Sequence, residues 1–174
     1  MNRAPSQLGH LTPLLSRIRA DFRLDWTGIH GIPHWKRVHQ NGVRIASLRE
    51  DADLRVIELF SYLHDSCRKD DGYDPLHGPR AAEYARSLQG SFFDLPVVRL
   101  DELCLAIRDH SDGQMSTNAT IQTCWDSDRL DLWRVGVRPS QKYLSKEAWG
   151  IINNNLAIRP YTKNIITRIE TQHE

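Results

Sequence analysis

Leu59-Phe60-Ser61-Tyr62-Leu63-His64-Asp65-Ser66-Cys67-Arg68 is an apolar helix that runs into a His-Asp pair. Leu54, Ile57, Phe60 and Leu63 recur at helical spacing, with Val56, Leu59 and Tyr62 beside them. That pattern predicts a helix over about 53–67 with a broad buried face. A carboxylate at the inner end of such a helix costs several kcal/mol unless something compensates it. A cation is the most direct compensation, because imidazole nitrogen and carboxylate oxygen are both good metal ligands.

Further helices surround this one. Upstream, Leu8, Leu11, Leu14, Leu15 and Ile18 predict a helix near 8–22 despite Pro13, and residues 1–7 read as frayed. A turn-rich loop with Gly28 and Gly31 follows, and Pro33 suits the first turn of the next helix, close to His34. Trp35, Val38, Val43, Ile45 and Leu48 give that helix its apolar side. Downstream, residues 69–78 form a polar loop. A helix with Ala81, Ala82, Tyr84 and Ala85 comes next, its small residues suited to close packing. Val98, Leu100, Leu103, Cys104 and Ile107 mark a helix over about 97–110 that ends at His110. After a second polar loop, 111–118, a helix at about 119–134 holds Ile121, Cys124, Trp125, Leu130 and Leu132, together with Asp126, Asp128 and Asp131. The tail from 137 reads as loop and one or two short helices, docking through Leu144, Trp149, Ile151, Ile152, Ile165, Ile166 and Ile169. No alternating strand pattern and no repeat interrupts this, so the expected fold is an all-α helical bundle.

At 174 residues the chain is expected to form one domain, 1–174, with its motifs between about 28 and 136. A formal net charge of +1 argues against a dominant nucleic-acid or membrane field. No apolar run is long enough for a membrane span, and the start, Met1-Asn2-Arg3-Ala4-Pro5, lacks the apolar core of a signal peptide. Cys67, Cys104 and Cys124 are odd in number and form no CxxC, which points away from a disulfide framework and towards a reducing cytoplasm.

His34, His64, Asp65, His77, His110 and Asp128 all lie in helices or at helix ends, near faces expected to point inward. Each alone has a structural explanation: a histidine at a helix C-terminus complements the helix dipole, and an Asp beside Arg129 can be a surface ion pair. Together, several imidazoles and two carboxylates on apolar helices need a shared reason to be buried. Facing helices of a bundle are where carboxylate-histidine metal sites are built.

These segments resemble the HD-domain superfamily of metal-dependent phosphohydrolases. The pattern H…HD…D is matched by His34 in Gly31-Ile32-Pro33-His34-Trp35-Lys36-Arg37-Val38, by His64-Asp65, and by Asp128 in Asp126-Ser127-Asp128-Arg129-Leu130. Two more segments match in order: His77-Gly78-Pro79-Arg80-Ala81-Ala82 and Ala106-Ile107-Arg108-Asp109-His110-Ser111. The resemblance implies that His34, His64, Asp65 and Asp128 hold one metal. It implies that His77 and His110 hold a second, with Asp65 bridging and acting in catalysis. The assignment of Asp128 over Asp126 follows the family's small-Asp-x-Leu pattern and leaves Asp126 as the alternative. One or two divalent transition ions are expected, manganese or iron first, then cobalt, nickel or zinc.

Two cations about 3.5–4 Å apart can share a water, lower its pKa and steady the leaving oxygens of a phosphoryl group. Arg68, one turn beyond Asp65, could face the same pocket and grip phosphate through paired hydrogen bonds. Arg37 and Arg129 are weaker candidates that read as surface charges. Trp26, Trp35 and Trp125 read as core, and the direction of His30 is unreadable beside Gly31 and Pro33. His10, His39 and His173 receive no role. The expected function is hydrolysis of a nucleotide or other small phosphate ester by a metal-activated water. The alternatives are an HD-type diiron oxygenase of a small organic substrate and, third, a non-catalytic metal or nucleotide sensor.

Overall fold

The structure is a computed structural model that describes residues 9–153. The proposed docking residues Ile165, Ile166 and Ile169, and His173, lie outside the described residues. The described chain is all-α, with seven α-helices and no strand: α1 Thr12–Asp21, α2 Ile32–Ala46, α3 Leu54–Leu63, α4 His77–Leu88, α5 Val97–Arg108, α6 Ala119–Arg129 and α7 Lys146–Asn153. No helix among them is long and apolar enough to cross a membrane.

α3 lies at the centre, packed on α2, α5 and α6. Asp53 starts it by accepting hydrogen bonds from the backbone N–H groups of Arg55 (2.9 Å) and Val56 (3.2 Å). Val56, Ile57, Leu59, Phe60, Tyr62 and Leu63 are all buried, so the helix is apolar nearly all round. It stops at Leu63, earlier than the expected 67. There the Ser66 hydroxyl takes the Leu63 carbonyl at 2.7 Å and the His64 ring reaches back to the Phe60 carbonyl at 3.2 Å.

α2 begins where the sequence places it. Gly31 is required there, because a Cβ would stand 2.2 Å from the Trp26 carbonyl oxygen. Trp35, wholly buried, meets Phe22 and Trp26 edge to face with ring centroids 5.1 and 5.2 Å away. Trp125 is also buried and donates to the Ala106 carbonyl at 2.9 Å. Both tryptophans are core.

Some expected core positions face solvent: Val43, Leu48, Leu54 and Val98 are exposed. The buried face of α2 is Trp35, Val38, Gly42, Ile45 and Ala46, which turns Val43 outward, and Leu48 lies past the helix end. Leu54 sits in the first turn of α3, and Val98 lies off the Leu100–Leu103–Ile107 face of α5. α6 also ends at Arg129 rather than near 134. A turn and a short 3-10 helix, Leu132–Val135, carry the chain onward. After a second 3-10 turn, Gln141–Tyr143, the tail docks through a small cluster of Ile45, Leu130, Leu144, Ala148 and Ile151, with Trp149 and Ile152 at its edge.

Candidate metal centre

The ends of α3 and α5, the starts of α2 and α4 and the last turn of α6 converge on Asp65. Its Oδ2 stands 3.6 Å from His34 Nε2 and 3.7 Å from His64 Nε2. Its Oδ1 stands 3.4 Å from His77 Nε2 and 3.6 Å from His110 Nε2. Asp128 Oδ1 closes the first group, 3.3 Å from His34 Nε2 and 3.7 Å from His64 Nε2. Three sets of ligand atoms lie close enough to share an ion: His34–His64–Asp65, His64–His110–Asp128 and Asp65–His77–His110. All six residues named from the sequence therefore meet in one place, and five of them are buried.

The ring orientations bear on what fits there. Each Nδ1 faces an oxygen acceptor: Asp131 Oδ2 for His34 (2.7 Å), and the carbonyls of Phe60 for His64 (3.2 Å), Asp74 for His77 and Ile107 for His110 (2.7 Å). This assigns the proton to Nδ1 in each ring and leaves the Nε2 lone pair pointing inward. The inward nitrogens then face one another in pairs, His34 to His64 at 3.1 Å and His77 to His110 at 3.0 Å. Two lone pairs at that distance repel unless a positive charge lies between them. Divalent transition ions suit such a donor set of four imidazoles and two carboxylates.

The electrostatics agree at His64, His77, Asp65 and Asp128 and run the other way at His110. Burial holds His64 as neutral imidazole, its pKa pushed down to about 3, against the pull of Asp65 and Asp128. Burial and the neighbouring His110 also lower His77. Burial opposes ionisation of Asp65, yet the surrounding imidazoles of His64, His110 and His30 outweigh it and hold the carboxyl well below the usual carboxylate range. Asp128 is likewise lowered, burial being outweighed by His34, His64 and Arg134. For His110, burial is outweighed by Asp65, and its pKa is raised.

The alternative ligand, Asp126, points elsewhere. It is wholly buried, accepts from the Gln122 side chain at 2.7 Å and from the Ser145 backbone N–H at 3.2 Å, and takes no part in the cluster. Arg68 does face the pocket: its Nε donates to Asp65 Oδ1 at 3.0 Å, and its Nη1 to the Asp70 carbonyl at 3.1 Å. Arg129 is not a surface charge, being buried and bonded to the Tyr143 carbonyl at 2.7 Å. Arg37 grips Asp131 through its Nε at 2.7 Å and its Nη2 at 2.9 Å.

Three residues at the site escaped sequence reasoning. His30 is buried with Nδ1 3.0 Å from Asp65 Oδ2 and Nε2 3.2 Å from the Asp71 carbonyl. Asp131 orients His34. Arg134 is held by the Ile29 carbonyl (2.9 Å) and the Asp131 carbonyl (3.3 Å), with its guanidinium 4.0 Å from Asp65 and 3.9 Å from Asp128. The available signal was spacing: Asp131 follows Asp128 by three residues and Arg134 follows Asp131 by three, one helical turn each. A cavity of about 420 Å³ opens over the cluster, lined by Asp65, His77, His110 and Asp128, by Arg68 and Arg134, and by segments around 111–113 and 132–143.

This fold has a solved counterpart. The chain is similar to a predicted HD superfamily hydrolase from an uncultured Thermotogales bacterium, at 28% identity and a TM-score of 0.66, over 95% of this chain and 94% of that one. No protein-family model and no curated protein matches the chain. The all-helical fold, the ordered His and Asp segments and this neighbour make the chain similar to the HD-domain superfamily. That likeness and the His and Asp clusters support, in general terms only, a hydrolase that binds divalent metal.

Proposed function

We propose that the protein is a metal-dependent phosphohydrolase acting on a nucleotide or another small phosphate ester. One observation carries this reading. Asp65 presents one oxygen to each histidine pair, and two guanidinium groups, Arg68 and Arg134, stand beside that same carboxylate on the cavity wall. His34, His64, Asp65 and Asp128 would hold one divalent ion, and Asp65, His77 and His110 a second. Ions bound there supply Lewis acidity, lowering the pKa of a coordinated water and neutralising phosphoryl oxygens.

The chain's own residues do the rest. His34, His64, His77 and His110 keep their Nδ1 protons on fixed acceptors, so their inward lone pairs need no reorganisation. Arg134, fixed by two carbonyls, and Arg68 supply planar donors for phosphoryl oxygens. The loops at 69–76 and 111–118 are polar and keep the mouth open to a charged, hydrated substrate. The thiols of Cys67, Cys104 and Cys124 are free, which supports a reducing, cytoplasmic setting.

The test is an anaerobic screen of nucleotides and phosphate monoesters with manganese, cobalt or iron(II). Release of phosphate or pyrophosphate without oxygen is the expected result. Turnover that appears only with iron, consumes dioxygen and oxidises a carbon or nitrogen centre would replace hydrolysis with oxygenation.

A further inference from the structure

Part of the cavity wall comes from chain that has little regular structure of its own. Leu132, Val135, Ser140 and Tyr143 line the cavity from the segment after α6, and Gly113 lines it from the loop before α6. Three buried polar side chains on α6 hold both segments. Gln122 accepts from the Ser116 backbone N–H at 2.7 Å and donates to Asp126 at 2.7 Å. Asp126 in turn accepts the Ser145 N–H at 3.2 Å, and Arg129 donates to the Tyr143 carbonyl at 2.7 Å. Two cations lie over the Tyr143 ring, the Arg129 guanidinium 5.9 Å and Lys142 Nζ 5.0 Å from its centroid.

Burying a carboxylate, a guanidinium and an amide is expensive, the more so as Arg129 Nη2 has no hydrogen-bond partner, and apolar residues would dock the tail at less cost. The polar choice gives directional hold on two loops, as a wall of fixed shape needs. The chemistry of that wall differs from the ligand end. At the ligand end Arg68 and Arg134 suit an anion; on the far wall Arg129 is the cation, beside the Tyr143 ring. Leu132, Val135 and the Tyr143 ring offer apolar and aromatic surface.

We infer that Tyr143, with Leu132 and Val135, forms a leaving-group subsite for an aromatic or otherwise planar apolar group, and that Gln122, Asp126 and Arg129 are its positioning residues. This rests on the phosphate-ester reading and specifies the other end of the substrate. A flat ring stacks on a tyrosine held in place, whereas a small alkyl or polyol group leaves that surface wet.

The experiment measures binding of phenylphosphonate and methylphosphonate to the manganese-loaded protein by calorimetry; the C–P bond keeps both intact. Phenylphosphonate should bind at least about tenfold tighter. Tyr143→Ala should collapse that preference to about threefold or less, and Tyr143→Phe should restore it. Arg129→Met should shrink the preference too, with faster amide exchange in 140–145, a readout that loss of ring contact alone would not move. Equal binding of the two phosphonates, or a preference that survives in Tyr143→Ala with metal content intact, overturns this inference alone. Binding of neither phosphonate overturns the phosphate-ester reading and this inference with it.

Discussion

His34 Nδ1 lies 2.7 Å from Asp131 Oδ2, and His34 is the one candidate ligand imidazole of the four whose Nδ1 faces a carboxylate. The other three face backbone carbonyls. The same carboxylate is gripped by Arg37, so its direction is set from the far side. An oriented imidazole with an ionised partner is a stronger donor at its other nitrogen. Asp131→Asn keeps the shape and removes the charge. Metal affinity should fall about 10- to 100-fold, read by competition with a chromogenic chelator. Affinity unchanged within error would mean that Asp131 serves only to dock Arg37.

Asp65 separates a two-ion site from a one-ion site. Because its two oxygens face different histidine pairs, Asp65→Ala should strip most of the bound metal, whereas His110→Ala should cost about one equivalent. Elemental analysis of protein purified without chelator gives both numbers. Stoichiometric metal in Asp65→Ala would sink the proposed ligand set.

The two arginines should differ in severity. Arg68 is partly committed to Asp65 and to the Asp70 and Gly72 carbonyls. Arg134 faces both Asp65 and Asp128 from a nearly buried position. Arg68→Ala should lower kcat/KM on phosphate esters about tenfold, near 1.4 kcal/mol of transition-state binding. Arg134→Ala should cost more, because its guanidinium reaches both Asp65 and Asp128. Kinetics identical to the parent in both variants, with metal intact, would remove the phosphate-gripping role.

The sequence already showed which residues share the site, since buried apolar helices ending in His and Asp state a need for a partner. It could not show what orients them. Asp131 and Arg134 sit beyond the end of α6, where the helical pattern had been extended too far, so their direction was lost with the helix. His30 stays unreadable for a related reason: Gly31 and Pro33 break the backbone between it and His34, and only the closed loop turns it onto Asp65. Asp126 and Asp128 were separable by family pattern and not by periodicity. Two residues apart on a helix they point about 200° from one another, yet in a buried helix both directions meet protein.

Away from the candidate metal ligands, His39 gives a pH signature. It is half-buried against the Tyr62 ring, centroids 5.6 Å apart, with His10 and Glu58 nearby. Burial, helped by His10 and opposed by Glu58, lowers its pKa from 6.5. The unfolded chain therefore binds a proton more readily than the folded one. The stability this represents is present above pH 6.5 and is lost as the pH falls below it towards the folded value. His39→Gln should flatten the denaturation midpoint over that interval relative to the parent. A parallel curve would remove His39 from the pH response.

Gly78 links packing to the second histidine pair. It follows His77 in the first turn of α4, where that helix crosses the end of α5. A Cβ there would stand 2.5 Å from the Arg108 carbonyl oxygen and 3.0 Å from that of Ile107. Neither atom can yield easily, because both belong to backbone, and Ile107 O also holds His110 Nδ1. Gly78→Ala should therefore push the two helices apart, at about 1–3 kcal/mol of overpacking, although alanine itself favours helix. The same movement would part His77 and His110, now 3.0 Å apart at Nε2. The expected outcome is a lowered midpoint together with weaker retention of one metal equivalent. Ala85→Gly, on the same helix and buried, serves as the control: it should cost stability through cavity and propensity and leave both metal equivalents bound. If Gly78→Ala loses stability and keeps both ions at parental affinity, the crossing supports the bundle and does not set the spacing of His77 and His110.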